Sequence, residues 1–406
     1  MSDSSTELSL LVLLFGGLIV AAMLIKAGLR RLRVPALVGY LVLGAGLRVL
    51  EERTGALGGP GMEVMRFLAT IGVIVLLFRV GLETDLAGLL RQLGGASVIW
   101  LGNVVVSAAA GYAGARWLLG LEVIPSAVVA TAMTATSVGI PAAVWRRAGA
   151  LDSPNGQRFL DVAEMDDLSG VVFMALLFAV LPALRAGGET HAAALVAREA
   201  GLFALKLAAF GGLCFLFSRY LEERFSRFVR RVESGPDPML VVAGAGLLVA
   251  AAAGLLGFSV AIGAFLAGLV FSRDPQRVKV DASFGSVHDL FSPFFFVGVG
   301  LELAPSSLAS GLGVGAVLLA AAVIGKMVGT SGPALACTGR TGALVLGLSM
   351  VPRAEIAMLI MQRGRAMGEW AVPPRAYAGM VFVSAATCVA APVVLGRLLG
   401  RRGARQ

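Results

Sequence analysis

Two adjacent carboxylates, Asp166 and Asp167, stand inside an otherwise apolar run. The stretch Arg158 to Leu184 reads RFLDVAEMDDLSGVVFMALLFAVLPAL; it begins with charge and then stays apolar long enough to cross a bilayer. At roughly 1.5 Å per helical residue from Arg158, Asp167 lies about 13 Å deep, near the middle of a hydrocarbon core roughly 30 Å thick. A carboxylate at that depth costs several kcal/mol unless something offsets it, so it points to an ion or proton pathway. Three further polar sites sit at similar depth in other apolar runs: Thr136 with Ser137, Lys326, and Arg353 with Glu355. Lys326, in AAAVIGKMVGTSG, is too deep to snorkel to the interface. A buried lysine keeps its charge only beside a carboxylate. Asp166 and Asp167 point about 100° apart on a helix, so one can pair with Lys326 while the other faces a cavity. Glu164 lies one turn before Asp167, and the spacing predicts a structural ion pair of Arg353 with Glu164 or Glu355.

The elements that must position these groups are membrane helices. Hydrophobic residues make up 57% of the 406 and charged residues 15%, with mean hydropathy +0.86; a soluble chain would carry about a quarter charged residues. The acids near Arg158 could open a soluble helix, where they would suit its dipole, but the rest of the chain has membrane composition. The net charge of +9 is then a mark of cytoplasmic loops, with no nucleic-acid partner implied. The abundant glycine, 53 residues, suits close helix packing in lipid. Cys214, Cys337 and Cys388 lie in apolar stretches and do not form a disulfide framework. The N-terminus has no basic region or small-residue cleavage site, so its first apolar run reads as a retained span.

Apolar runs divide the chain into thirteen spans, at about 7–29, 34–50, 62–82, 95–119, 123–146, 158–184, 194–218, 238–256, 258–272, 286–303, 308–333, 340–365 and 375–399. With the Ser2 end outside and the Gln406 end cytoplasmic, loop Lys and Arg favour the inner side by more than two to one. The spans divide as six, one and six, and the single linking span inverts the second six, which is the sequence form of an inverted repeat. The fifth span of each half is interrupted: IPSAVVATAMTATSVGIPAAVW at Gly139 and Pro141, and TGALVLGLSMVPRAEIAMLIMQ at Pro352. Unwound backbone at that depth is tolerated only where it is packed in protein or lines a cavity. The polar loop Ser218 to Asp237 mixes Arg and Glu at helical spacing and reads as an interfacial helix.

Taken together, TATSVGIP, the Asp-Asp pair, the IGKMVG lysine and the VPRAEI break resemble the sodium/proton antiporters of the monovalent cation:proton antiporter-2 family, in its electrogenic Asp-Asp branch. RLRVPALVGYLVLGAGL, LLFRVGLETDL, GFSVAIGAFLAGLVFS and FFFVGVGLEL extend the resemblance over nearly the whole chain. It implies an all-α polytopic fold of about thirteen transmembrane helices in two inverted repeats, with the broken helices crossing. Residues 1–94 and 238–307 would form a scaffold that dimerises, 95–184 and 308–406 the ion-binding core with the C-terminal tail, and 185–237 the linker. Asp167 would be the main ion- and proton-binding carboxylate, Asp166 the partner of Lys326, and Thr136, with Ser137 beside it, near the ion path. The cargo would be a monovalent cation, Na⁺ before Li⁺ or K⁺, bound at Asp167 and Asp166 and exchanged for protons, two per cation, with no cofactor. The setting would be the inner (cytoplasmic) membrane and the assembly a homodimer. Glu164 departs from the pattern, which has an apolar residue there. The chain ends at RRGARQ, without the cytosolic nucleotide-binding domain of potassium-efflux relatives, so gating by a nucleotide is not expected.

Two rival readings share some of these features. A cation-coupled symporter of an organic anion could use the same fold, although Lys326 beside the acids disfavours it. An intramembrane aspartyl protease also needs two membrane aspartates, but on two facing helices, whereas these adjoin on one.

Overall fold

A computed structural model describes residues 2–32, 34–55, 57–84, 86–186, 192–216, 220, 239–256, 259–271 and 280–403. The proposed interfacial helix at 218–237 lies outside the described residues, apart from Tyr220. The helices are α1 (Ser2–Leu32), α2 (Ala36–Thr54), α3 (Gly58–Glu83), α4 (Leu86–Ala113, continued by a π-helical turn, Gly114–Leu118), α5 (Val123–Thr134), α6 (Gly139–Arg147), α7 (Pro154–Ala186) and α8 (Ala192–Leu216). After the undescribed stretch come α9 (Met239–Leu255), α10 (Val260–Phe271), α11 (Val280–Leu301), α12 (Leu308–Ser349), α13 (Glu355–Met367) and α14 (Pro374–Gly403). Each expected span coincides with a helix or, at the two breaks, with a pair of half-helices. Nine spans among the described residues are long and apolar enough to cross a membrane by themselves. The count falls below thirteen for physical reasons. α2 carries Arg48, Glu51, Glu52 and Arg53 in its last turns, the apolar parts of α9 and α10 are short, and α12 joins two spans through Gly339. Gly339 makes that turn with φ 67°, a left-handed conformation that a side chain would resist.

The helices pack as two groups. α4, α5, α6, α7, α12, α13 and α14 contact one another, as do α1, α2, α3, α9, α10 and α11, and α8 lies against α7 and α10. Three reciprocal glycine pairs close the crossings: Gly44 with Gly300 (α2 and α11), Gly81 with Gly268 (α3 and α10) and Gly102 with Gly329 (α4 and α12). A Cβ on Gly44 would fall 2.1 Å from the Val297 carbonyl oxygen, and one on Gly81 2.2 Å from that of Phe265. Helices in lipid gain little from burying apolar surface, so this backbone contact is what holds them together. Each pair joins a helix of the first half to one of the second. In the first group, Trp145 stacks on Phe159 and donates its indole N–H to Ser349 Oγ (2.9 Å), fixing α6 against α7 and the end of α12.

Candidate functional site

Two helices are unwound side by side. α5 ends at Thr134, Ala135 turns to extended backbone (φ −66°, ψ 144°), and α6 starts at Gly139. α12 ends at Ser349, and α13 starts at Glu355. The two breaks are bonded to each other: Ser137 N–H donates to the Pro352 carbonyl (2.8 Å), and Thr136 Oγ1 lies 3.3 Å from the Met350 carbonyl oxygen. The first break is placed differently from the sequence expectation. Gly139 and Pro141 belong to the first turn of α6, where a proline has no intrahelical bond to lose, and residues 135–138 are the unwound ones.

The carbonyl end of α5 carries the negative pole of its dipole and four orphan acceptors. Two buried cations answer it. Lys326 Nζ donates to the Thr134 carbonyl (2.5 Å), and Arg353 Nη1 to those of Met133 and Ala135, the latter at 2.9 Å. Both side chains are fully buried. The ion pair expected between Arg353 and Glu164 or Glu355 is therefore corrected: Arg353 spends its donors on helix-end carbonyls, and its Nε and Nη2 are buried without a hydrogen-bond partner among the described residues. Its own backbone is held by α14, with Ser384 Oγ donating to its carbonyl (2.8 Å) and its N–H to Thr387 Oγ1 (3.2 Å). Glu355 opens α13, where a carboxylate suits the positive end of the dipole, and Ser137 faces it.

Asp166 is caged. Its Oδ2 lies 3.0 Å from Lys326 Nζ and accepts the Thr136 hydroxyl, while its Oδ1 accepts Asn103 Nδ2 at 2.8 Å. Thr330 in turn donates to Asn103 Oδ1 (3.2 Å). Asp167, one residue on, is only half-buried. No hydrogen bond or ion pair reaches its carboxylate among the described residues, and the charges that act on it are those of Asp166, Glu355, Glu83 and Lys326. Glu164 is half-buried one turn before it on α7. The structure thus gathers Thr136, Asp166 and Lys326 into one cluster, with Asp167, Ser137 and Glu355 beside it. Two residues of the site went unread in the sequence. Asn103 had a usable signal, an amide in the apolar run WLGNVVV that must find a partner in lipid. Glu83 had none beyond its place at a helix end.

Residues 18–401 match the family described as sodium/hydrogen exchanger, transmembrane. The chain belongs to this family. It is 28% identical over 337 residues to the high-affinity Na⁺/H⁺ antiporter NhaS3 of Synechocystis, covering 81% of this chain and 70% of that one. It is 26% identical to a Na⁺/H⁺ antiporter of Enterococcus hirae, over 90% of this chain and 92% of that one. The solved structure of the sodium proton antiporter MjNhaP1 from Methanocaldococcus jannaschii superimposes with TM-score 0.67 over 97% of this chain and 98% of that one, at 16% identity, which shows the shared fold. The chain is therefore a multi-pass membrane exchanger of this fold, and neither the symporter nor the protease reading is favoured.

Proposed function

We propose that the chain exchanges a monovalent cation, Na⁺ in the first place, for protons by alternating access, and that Asp167 is the carboxylate for which cation and proton compete. One observation carries this reading: of two neighbouring aspartates, Asp166 has all its donors and the half-buried Asp167 has none among the described residues. A half-buried carboxylate without a partner binds a cation or a proton, whichever is supplied, and it cannot hold both. Asp166 keeps Lys326 charged. A cation at Asp167 also draws on Asp166, loosens its hold on Lys326 and lets that lysine give up its proton. Two protons then leave for one cation, so the cycle moves charge. The losses belong to a coupled cluster and would titrate as one. The helix group built on α4–α7 and α12–α14 would move against the group built on α1–α3 and α9–α11, which would also supply a homodimer contact. The charge bias of the loops supports an external N-terminus and a cytoplasmic C-terminus. Proteoliposomes loaded at a fixed proton gradient test the reading: Na⁺ is expected to dissipate the gradient and to respond to an imposed membrane potential. A gradient that no monovalent cation dissipates would overturn it. A cycle indifferent to potential would overturn the two-proton scheme alone.

A further inference from the structure

One tetrapeptide is used twice. Val80-Gly81-Leu82-Glu83 closes α3, and Val299-Gly300-Leu301-Glu302 closes the corresponding third helix of the second half, α11. The two helices run antiparallel against each other: Gly298 packs on Ala69, Gly72 on Phe295, and the Phe78 ring lies 5.0 Å from that of Phe284. The two glutamates therefore lie at opposite ends of the pair. Counting 1.5 Å per residue in each direction from the Ala69–Gly298 contact separates them by about 27 Å, close to the thickness of the hydrocarbon core.

Glu83 ends beside the site described above, within the field of Asp167 and Glu355, with Arg79 Nε 2.7 Å from its carboxylate. Glu302 lines a cavity of about 460 Å³ between α3, α11 and α13, which it shares with Arg66, Ser259, Gln362, Arg363 and Arg365. Gln362 Nε2 donates to Glu302 Oε1 at 3.3 Å, and Oε2 is buried with no donor among the described residues. Tyr377 stands beside this carboxylate and acts on it, while its hydroxyl donates to the Val299 carbonyl at 2.9 Å. Three of the four arginines around the cavity are engaged elsewhere: Arg48, also in its wall, on Glu52 at 2.9 Å, Arg365 on Glu369 at 3.5 Å, and Arg363 over the Phe178 ring at 5.2 Å, while Arg66 is exposed. Among the described residues no ion pair is made to Glu302, and Arg66 and Arg365 act on it through the field alone. A carboxylate in the wall of a cavity, with one desolvated oxygen and no counter-charge in contact among the described residues, is a site for a hard cation or a proton. Gln362 can turn its amide oxygen toward the same ion. It also lies seven residues after Glu355, two turns along α13, so both stand on one face of that helix.

We infer that Glu302, with Gln362, forms a second monovalent-cation site at the mouth opposite Glu83, where the ion pauses on its way to or from Asp167. This rests on the exchange reading above. The two glutamates would be the paired collecting charges of an inverted repeat, one for each face of the membrane. The test is sided transport in everted and right-side-out membrane vesicles, with the half-saturating Na⁺ concentration measured separately for each face. Glu302→Gln is expected to raise it about ten-fold at the Glu302 face and to leave it within about two-fold at the other, and Glu83→Gln to do the reverse. Glu302→Asp should recover most of the loss. If Glu302→Gln does not reach the membrane, Gln362→Leu should give the same one-sided change, smaller in size. Half-saturation unchanged at both faces, or raised equally at both, would overturn the second site and leave the exchange reading standing. Wild-type vesicles that exchange no protons for Na⁺ would instead remove the exchange reading, and this inference with it.

Discussion

Asp166 and Asp167 are neighbours in sequence and opposites in surroundings. Around Asp166 every oxygen is answered by Lys326, Thr136 or Asn103, and the residue is 1% exposed. Around Asp167 there is no donor among the described residues, and other carboxylates act on it at longer range. The 100° turn between adjacent helical residues is enough to send one into a packed junction of α4, α5 and α12 and to leave the other half-buried at its edge. A satisfied buried network rigidifies, whereas an unsatisfied charge at the edge of it stays available for cargo. The two aspartates should therefore fail in different ways when altered.

The largest expected effect is at Asp167. Asp167→Asn should abolish exchange while leaving expression and thermal stability close to wild type, as measured by proton flux and by a melting assay in detergent. Asp166→Asn should do the opposite in kind, losing stability first because Lys326 is left buried without its counter-charge. Equal stability losses in the two variants would erase the distinction. Next comes Lys326→Gln, which breaks a fully buried pair and should cost about 3 kcal/mol or more. Any protein that survives should exchange without moving charge, which current recordings on supported membranes would reveal. A smaller loss is expected for Asn103→Ala. It strips one hydrogen bond from Asp166 and leaves Thr330 without its acceptor, at about 1–3 kcal/mol, and should lower the melting temperature more than the transport rate. Thr136→Ala is the mildest. It should raise the half-saturating cation concentration a few-fold through Asp166, and a well-expressed variant with unchanged half-saturation would leave Thr136 a packing role only.

How much of this was legible follows from what each signal depends on. The spans and the paired breaks were readable because hydropathy, proline and glycine act on the chain locally. The first break nonetheless sits at residues 135–138, ahead of Pro141, because a proline in the first turn of a helix is compatible with it. The partner of Arg353 was not readable. A guanidinium in an apolar run suggests an acid, but here it meets the carbonyls of Met133 and Ala135, and backbone acceptors leave no mark in a sequence. Asn103 was passed over for a related reason: one amide looks unremarkable until α4 and α7 are seen to meet. The separation of Asp166 from Asp167 was readable as a possibility from helical geometry, but the identity of the cage around Asp166 needed the crossing of α4, α5, α7 and α12.

The claim that Asp167 alone is the exchanging carboxylate is tested most directly by cation-dependent thermal stabilisation of the purified protein. A cation that binds the folded state raises its stability in proportion to the logarithm of its concentration over the dissociation constant. The account predicts that Na⁺ raises the melting temperature of the wild type at alkaline pH and fails to do so at acid pH, where protons hold the site. In Asp167→Asn it predicts that most of the rise at alkaline pH is lost, leaving only the smaller contribution of the Glu302 site. A full Na⁺-dependent rise in Asp167→Asn would contradict the account, because the cation would then be bound by other groups.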